Sequence, residues 1–179
     1  MSGHTEKESG PMDITDAVDV SGQEKEYHDH FYVVAAAFDP GKNTGVVVLG
    51  LDGPAETVDL LHANTVEFCR LGDEDMFTYE NVLTRFKPDV ILVEDVIIGG
   101  RMNRDKFIQI RAFDRTLCIS YAYQEANRKS KNITVYRTKP ETRKHWSNTP
   151  RGLSIHARDA YRHIMSWWVT EGRHGDWRK

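Results

Sequence analysis

Three short stretches of this chain carry carboxylates where a folded protein has to account for them. In "FDPGKNTG", Phe38 to Gly45, Asp39 closes the apolar run "FYVVAAA" before Pro40 and Gly41 turn the chain into a second apolar run, "VVVLG". A side chain at a strand end projects from the sheet edge on a rigidly held backbone. The same residues also make a good turn, with Asp initiating, Pro setting its own torsion and Gly tolerating positive φ. Glu94 and Asp95 follow "VILV", and a carboxylate inside such a run is costly unless it is exposed at the strand's end or compensated. One of them is a partner for Asp39 if their strands are neighbours; two acids already in the loop is the plainer alternative. In "HARDAYRHIM", His156 and Asp159 are three residues apart, so on a helix they lie about 60° from each other and share a face.

Carboxylates from three separate segments suit a hard divalent cation such as Mg²⁺, which takes oxygen ligands and usually retains water. Two such ions about 4 Å apart activate an attacking water and stabilise the leaving oxygen in phosphodiester hydrolysis. A carboxylate centre acting on an anion also needs basic surroundings. The overall charge of −3 hides them: residues 1–31 carry 8 acids and 2 bases, residues 32–95 carry 12 and 4, and residues 96–179 carry 7 and 18. The last segment, at +11, is an electrostatic footprint for a polyanion such as nucleic acid. His163 and His174 read as surface histidines, and His4, His28 and His30 belong to a segment with no framework to hold a metal.

The elements that must position these groups follow from periodicity. Met1 to His30 has neither helical nor strand pattern and reads as a disordered acidic tail, 1–31, ahead of one domain, 32–179. Phe31 to Phe38, Gly45 to Leu51 and "TVDLLHANTVEF" predict three consecutive strands in an antiparallel meander. "DEDMFTYENVLTRF" predicts a helix, "KPDVILVEDV" a strand buried on both faces, and about Asp105 to Arg128 a long helix. "NITVYR" predicts a fifth strand, "PETRKHW" a short helical piece, and "SIHARDAYRHIMSWWV" a last helix with Ser154 as N-cap. The expected architecture is α/β, a mixed five-stranded sheet flanked by helices. On the last helix Ala157, Tyr161, Ile164, Met165 and Trp168 form the apolar stripe, which leaves His156 and Asp159 facing solvent.

The longest uncharged apolar run near the start, Val33 to Phe38, is far short of the roughly 20 residues a membrane span needs. With a polar acidic start in place of a leader peptide, the chain is expected to be soluble and intracellular, in the cytoplasm. Cys69 and Cys118 lack a CxxC or Cys/His partner and read as reduced, buried thiols.

"AAAFDPGKNTGVVVL", "ILVEDV" and "HARDAYRHIM" resemble the three acidic motifs of RuvC-type Holliday-junction resolvases, in the same order and on the same strand, strand and helix. The resemblance covers most of Tyr32 to Trp168 and implies an RNase H-like fold. Carried over, it makes Asp39 the ligand shared by two Mg²⁺ ions, for which Mn²⁺ can substitute, Glu94 the second-strand ligand and Asp159 the helix carboxylate. His156 then binds metal or positions and deprotonates the attacking water, and Asp95 is a reserve ligand. Lys144 resembles a family lysine that approaches the scissile phosphate, and is equally one of many surface bases. The resemblance further implies a homodimer through the long helix, with Arg101, Arg104, Lys106 and Arg111 available for phosphates. Phe107 is where an aromatic wedges or stacks at a junction, although with Ile110 and Phe113 it makes part of a helical apolar face and reads as core. Two features depart from the family: only 11 residues, 145 to 155, separate Lys144 from His156, and the acidic tail precedes the domain.

The expected function is therefore a metal-dependent endonuclease acting on Holliday junctions or other branched DNA in recombination and repair. An RNase H-like nuclease for another structured or hybrid substrate is the rival within that class, and a non-catalytic junction binder the rival outside it. An actin-like kinase or ATPase needs a second large lobe that 179 residues do not supply.

Overall fold

The computed structural model describes residues 32–53, 56–67, 74–97, 102–140 and 148–174, with side chains from residue 79 onward in the first helix. The 1–31 tail, Cys69 and the "ETRKHW" part of the expected short helix lie outside the described residues. The elements run β1 (Val33–Asp39), β2 (Asn43–Asp52), β3 (Thr57–Glu67), α1 (Glu74–Phe86), β4 (Val90–Glu94), α2 (Arg104–Asn127), β5 (Thr134–Thr138) and α3 (Ile155–Thr170).

The five strands form one mixed sheet in the order β3-β2-β1-β4-β5. The meander β1–β2–β3 is antiparallel, because short turns join its strands; β1–β4 and β4–β5 are parallel, because helices cross between them. β1 and β4 sit inside the sheet with every residue buried. Their continuous apolar sequences are what a strand covered on both faces requires. β3 is an edge, half exposed, with a register shift opposite Val48/Leu49.

Side-chain alternation divides the core in two. Val33, Ala35, Ala37, Val90 and Leu92 pack with α3 through Ala160, Ile164 and Trp168, whereas Val34, Ala36, Phe38, Ile91 and Val93 pack with α1 and α2 through Leu83, Phe86 and Phe113. Burying each of the Val, Leu, Ile and Phe side chains among them contributes about 1.5–3 kcal/mol, enough to hold helices on both faces. Asp89 fastens the start of β4: its carboxylate accepts the Val34 N–H at 2.8 Å and pairs with Lys131 at 3.0 Å, and its N–H donates to the Val34 carbonyl at 2.8 Å.

Asn103 caps α2 by accepting the Lys106 N–H at 2.8 Å, and Ser154 caps α3 by accepting the Ala157 N–H at 3.1 Å. Cys118, expected to be buried, is exposed, because the buried side of α2 runs through Ala112, Phe113, Thr116, Ile119 and Ser120. Among the described residues no helix is long and apolar enough to cross a membrane.

Candidate active site

Asp39 and Glu94 meet at one end of the sheet for reasons that follow from the pleat. β1 and β4 are parallel neighbours with Phe38 opposite Val93, so each acid stands one step past that pair on adjacent strands. Ala37 and Leu92 face α3 while Phe38 and Val93 face the other way; alternation therefore turns Asp39 and Glu94 toward α3. Strands in a sheet lie about 4.8 Å apart, which keeps the two carboxylates close. Both are buried, at 6% and 4% exposure.

α3 closes over them because Gly45 lets it. Gly45 pairs with Asp39 across β1 and β2, and a Cβ there would stand 2.2 Å from the main-chain carbonyl carbon and oxygen of His156. Only glycine admits the helix backbone so near. The turn between the strands is held by Thr44, whose buried hydroxyl donates to the Gly41 carbonyl at 3.3 Å and accepts the Gly41 N–H at 3.4 Å. The Thr65 and Ser154 hydroxyls bond one another, tying the α3 cap to β3.

Two carboxylate–imidazole pairs result. His156 Nδ1 lies 3.2 Å from Asp39 Oδ2, and His163 Nε2 lies 2.9 Å from Glu94 Oε2. Asp159 falls between these histidines on the same stripe of α3 and accepts a hydrogen bond from Arg162 Nη1 at 2.8 Å. Two expectations need correction here. The His156 side chain turns Nδ1 to Asp39 and keeps only part of its ring in solvent, at 37% exposure, and the Asp159 side chain, 14% exposed, is largely covered. His163 is not a surface residue; it is fully buried. Periodicity misplaced them because α3 is buried almost all round from His163 to Trp168, so its apolar stripe did not mark the one covered side. The signal for His163 was its spacing: seven residues after His156, it returns to within about 20° of it on the helix. His174 is exposed, as expected.

Asp95 is engaged elsewhere. Arg137 Nη2 reaches both its oxygens, at 2.9 and 2.8 Å, and the guanidinium lies over the Phe113 ring at 5.2 Å. This pair joins the ends of β4 and β5 and leaves Glu94 as the acid on the α3 face.

No protein-family model matches the chain, and no curated protein sequence matches it. Solved structures do. Thermus thermophilus RuvC in complex with Holliday junction substrate overlays with a TM-score of 0.59 at 20% identity, over 78% of this chain and 97% of that one. Thermus thermophilus RuvC on its own gives the same TM-score, identity and coverage. The fold is RuvC-like.

In this RuvC-like fold the donor set at the sheet end fits a hard cation. Two buried acids of like charge on adjacent strands are costly to bring together, and a divalent ion or an imidazolium offsets that cost. Mg²⁺ is commonly bound by one or two carboxylates, with waters and substrate phosphates completing its shell. Asp39 and Glu94 supply that number. Among the described residues no three His, Cys, Asp or Glu side chains converge closely enough to hold a metal on their own, and Asp159 is paired with Arg162.

The start of α2 provides exposed cationic and aromatic groups on the RuvC-like frame. Arg104 and Arg111 are exposed and Lys106 half-buried. Phe107 is 54% exposed, which corrects its reading as core: Ile110 and Phe113 turn toward the sheet, whereas Phe107 turns outward with the Arg111 guanidinium 5.9 Å from its ring centre. Arg101 and Lys144 lie outside the described residues.

Proposed function

We propose that this chain is a divalent-metal-dependent endonuclease that resolves Holliday junctions or closely related branched DNA, as a homodimer, by paired phosphodiester hydrolysis. One observation carries the reading: Asp39 and Glu94, buried at adjacent strand ends, point to the same face and are each engaged by a histidine of α3. The RuvC-like fold and the +11 charge of residues 96–179 support a polyanionic substrate.

Asp39 and Glu94 would hold Mg²⁺ or Mn²⁺, with Asp159 joining them by leaving Arg162. Bound there, the metal would supply an activated water and a stabilised leaving oxygen. His156 keeps Nδ1 against Asp39, so Nε2, on the far side of a ring that is 37% exposed, is the atom that takes a proton from the attacking water. Arg104, Lys106 and Arg111, with Arg101 and Lys144, would bind phosphates, which fix register without reading sequence. Phe107 would stack on bases at the crossover. The exposed side of α2, with Cys118 and Tyr121, is the surface offered to a second copy.

The test is cleavage of four-way, three-way, linear duplex and RNA/DNA substrates with Mg²⁺, with Mn²⁺ and with chelator. The reading expects metal-dependent paired nicks in the four-way junction, reduced at least about 10²-fold by Asp39→Asn or Glu94→Gln. Undiminished cutting by both variants removes the proposed site. Preference for the RNA/DNA hybrid overturns the resolvase assignment, and binding without cleavage in either metal makes the chain a junction binder.

A further inference from the structure

One polar group at the sheet end has no part in the chemistry above. His163 lies on the same stripe of α3 as His156, but the two imidazoles differ in their surroundings. His156 is 37% exposed and 3.2 Å from its acid, whereas His163 is 0% exposed and 2.9 Å from a carboxylate that is itself 4% exposed. Solvent reaches the first ring and not the second.

The direction of the His163 bond follows from its partner. An ionised carboxylate only accepts, so Nε2 of His163 donates to Glu94 Oε2. The other ring nitrogen, Nδ1, is buried with no hydrogen-bond partner among the described residues. An apolar side chain would fill this space without burying an unpartnered nitrogen, so packing does not explain a histidine here. Its one polar contact among the described residues is Glu94.

We propose that His163 is a positioning residue: its Nε2–H···Oε2 bond sets the plane of the Glu94 carboxylate so that the acid meets a divalent cation already oriented. A glutamate has three side-chain torsions, and a 2.9 Å bond from a fully buried ring narrows the orientations its carboxylate can take. Such outer partners of metal-binding carboxylates typically change metal affinity or activity by about 10–100-fold when removed. The inference rests on the reading of Glu94 as a metal ligand, and it assigns no proton-transfer step to His163.

Two variants test it: His163→Leu, which fills the space without a donor, and His163→Gln, which keeps a side-chain N–H. The probe is Mn²⁺ alone, its free concentration read by electron paramagnetic resonance without DNA, alongside thermal unfolding of the metal-free protein. His163→Leu is expected to weaken Mn²⁺ binding by about 10–100-fold with an unfolding midpoint no lower than the unsubstituted chain, while His163→Gln stays within about threefold. Junction cutting by His163→Leu should fall at limiting Mn²⁺ and recover at saturating Mn²⁺. Unchanged Mn²⁺ affinity in His163→Leu, or equal weakening in both variants, overturns the proposal.

A readout without metal keeps the idea falsifiable if His163→Leu fails to fold. In ¹⁵N-labelled metal-free protein, the His163 Nε2–H should exchange slowly and its resonance should move in Glu94→Gln; an unmoved resonance overturns the proposal. If the unsubstituted chain binds junctions without cutting them in either metal, the nuclease reading fails while the resonance and Mn²⁺ results still decide the role of His163.

Discussion

Gly45 and the main chain of His156 are in such close approach that a methyl group on residue 45 would have to stand 2.2 Å from the His156 carbonyl carbon and oxygen. Backbone, unlike the end of a flexible side chain, can give way at that distance only by moving the whole turn it belongs to. Gly45→Ala should therefore lift the first turn of α3 off β2, breaking the 3.2 Å Asp39–His156 contact. The expected cost is about 1–3 kcal/mol of stability, as for other overpacked interiors, measured by denaturant unfolding. Junction cutting should fall by more than this stability loss explains, because the displaced residue is the proposed base.

Glu94 and Asp95 are adjacent acids with opposite fates. Asp95 is paired through both oxygens with one nitrogen of Arg137, whose side chain is 52% exposed, so Asp95→Asn should cost at most about 1 kcal/mol and leave metal-dependent cutting nearly unchanged. Glu94→Gln should leave a folded chain that does not cut. Comparing the two variants by unfolding and by junction cleavage separates an acid that ties strands together from one that serves the site.

His62 predicts a pH dependence of stability. Burial against Phe86, 5.5 Å away, and then the positive charge of Arg85 push its pKa below the usual 6.5. The unfolded chain thus binds a proton more readily than the folded one. The contribution of His62 is fully favourable above pH 6.5 and declines as pH falls from 6.5 through the lowered folded-state value. Urea midpoints measured across that window should drop toward acid, and His62→Phe should flatten that part of the slope.

Phe107 stands outward at 54% exposure, so Phe107→Ala should change stability by no more than about 0.5 kcal/mol. If it stacks on DNA bases, four-way junction affinity should weaken by roughly tenfold, within the range of about 1–3 kcal/mol per stacked base. Gel-shift titration at fixed salt checks this. Arg111→Ala should weaken binding more uniformly across substrates and lower its salt dependence.

Much of this protein is legible without coordinates, and the reason is local. Strand and helix periods, Ser154 as a cap, and the apolar runs before Asp39 and Glu94 depend on neighbours in the chain. They fixed the element order, and that order implied the mixed sheet with β1 beside β4. The resemblance to RuvC-type motifs rests on the same short stretches, and the overlay with Thermus thermophilus RuvC bears out the fold it implied.

What local pattern misjudged lies where surfaces from distant segments meet. His163 looked like a surface histidine until the sheet end placed Glu94 against it, and Phe107 looked like core until α2 turned Ile110 and Phe113 inward. Gly45 read only as the start of the second strand. Its tertiary role, admitting the His156 backbone, involves a residue 111 positions away. Periodicity reports which residues share a face, since that follows from the pitch of one element. Which face is covered, and by which charge, depends on packing between elements, and that is what turned two strand-end acids and two helix histidines into neighbours.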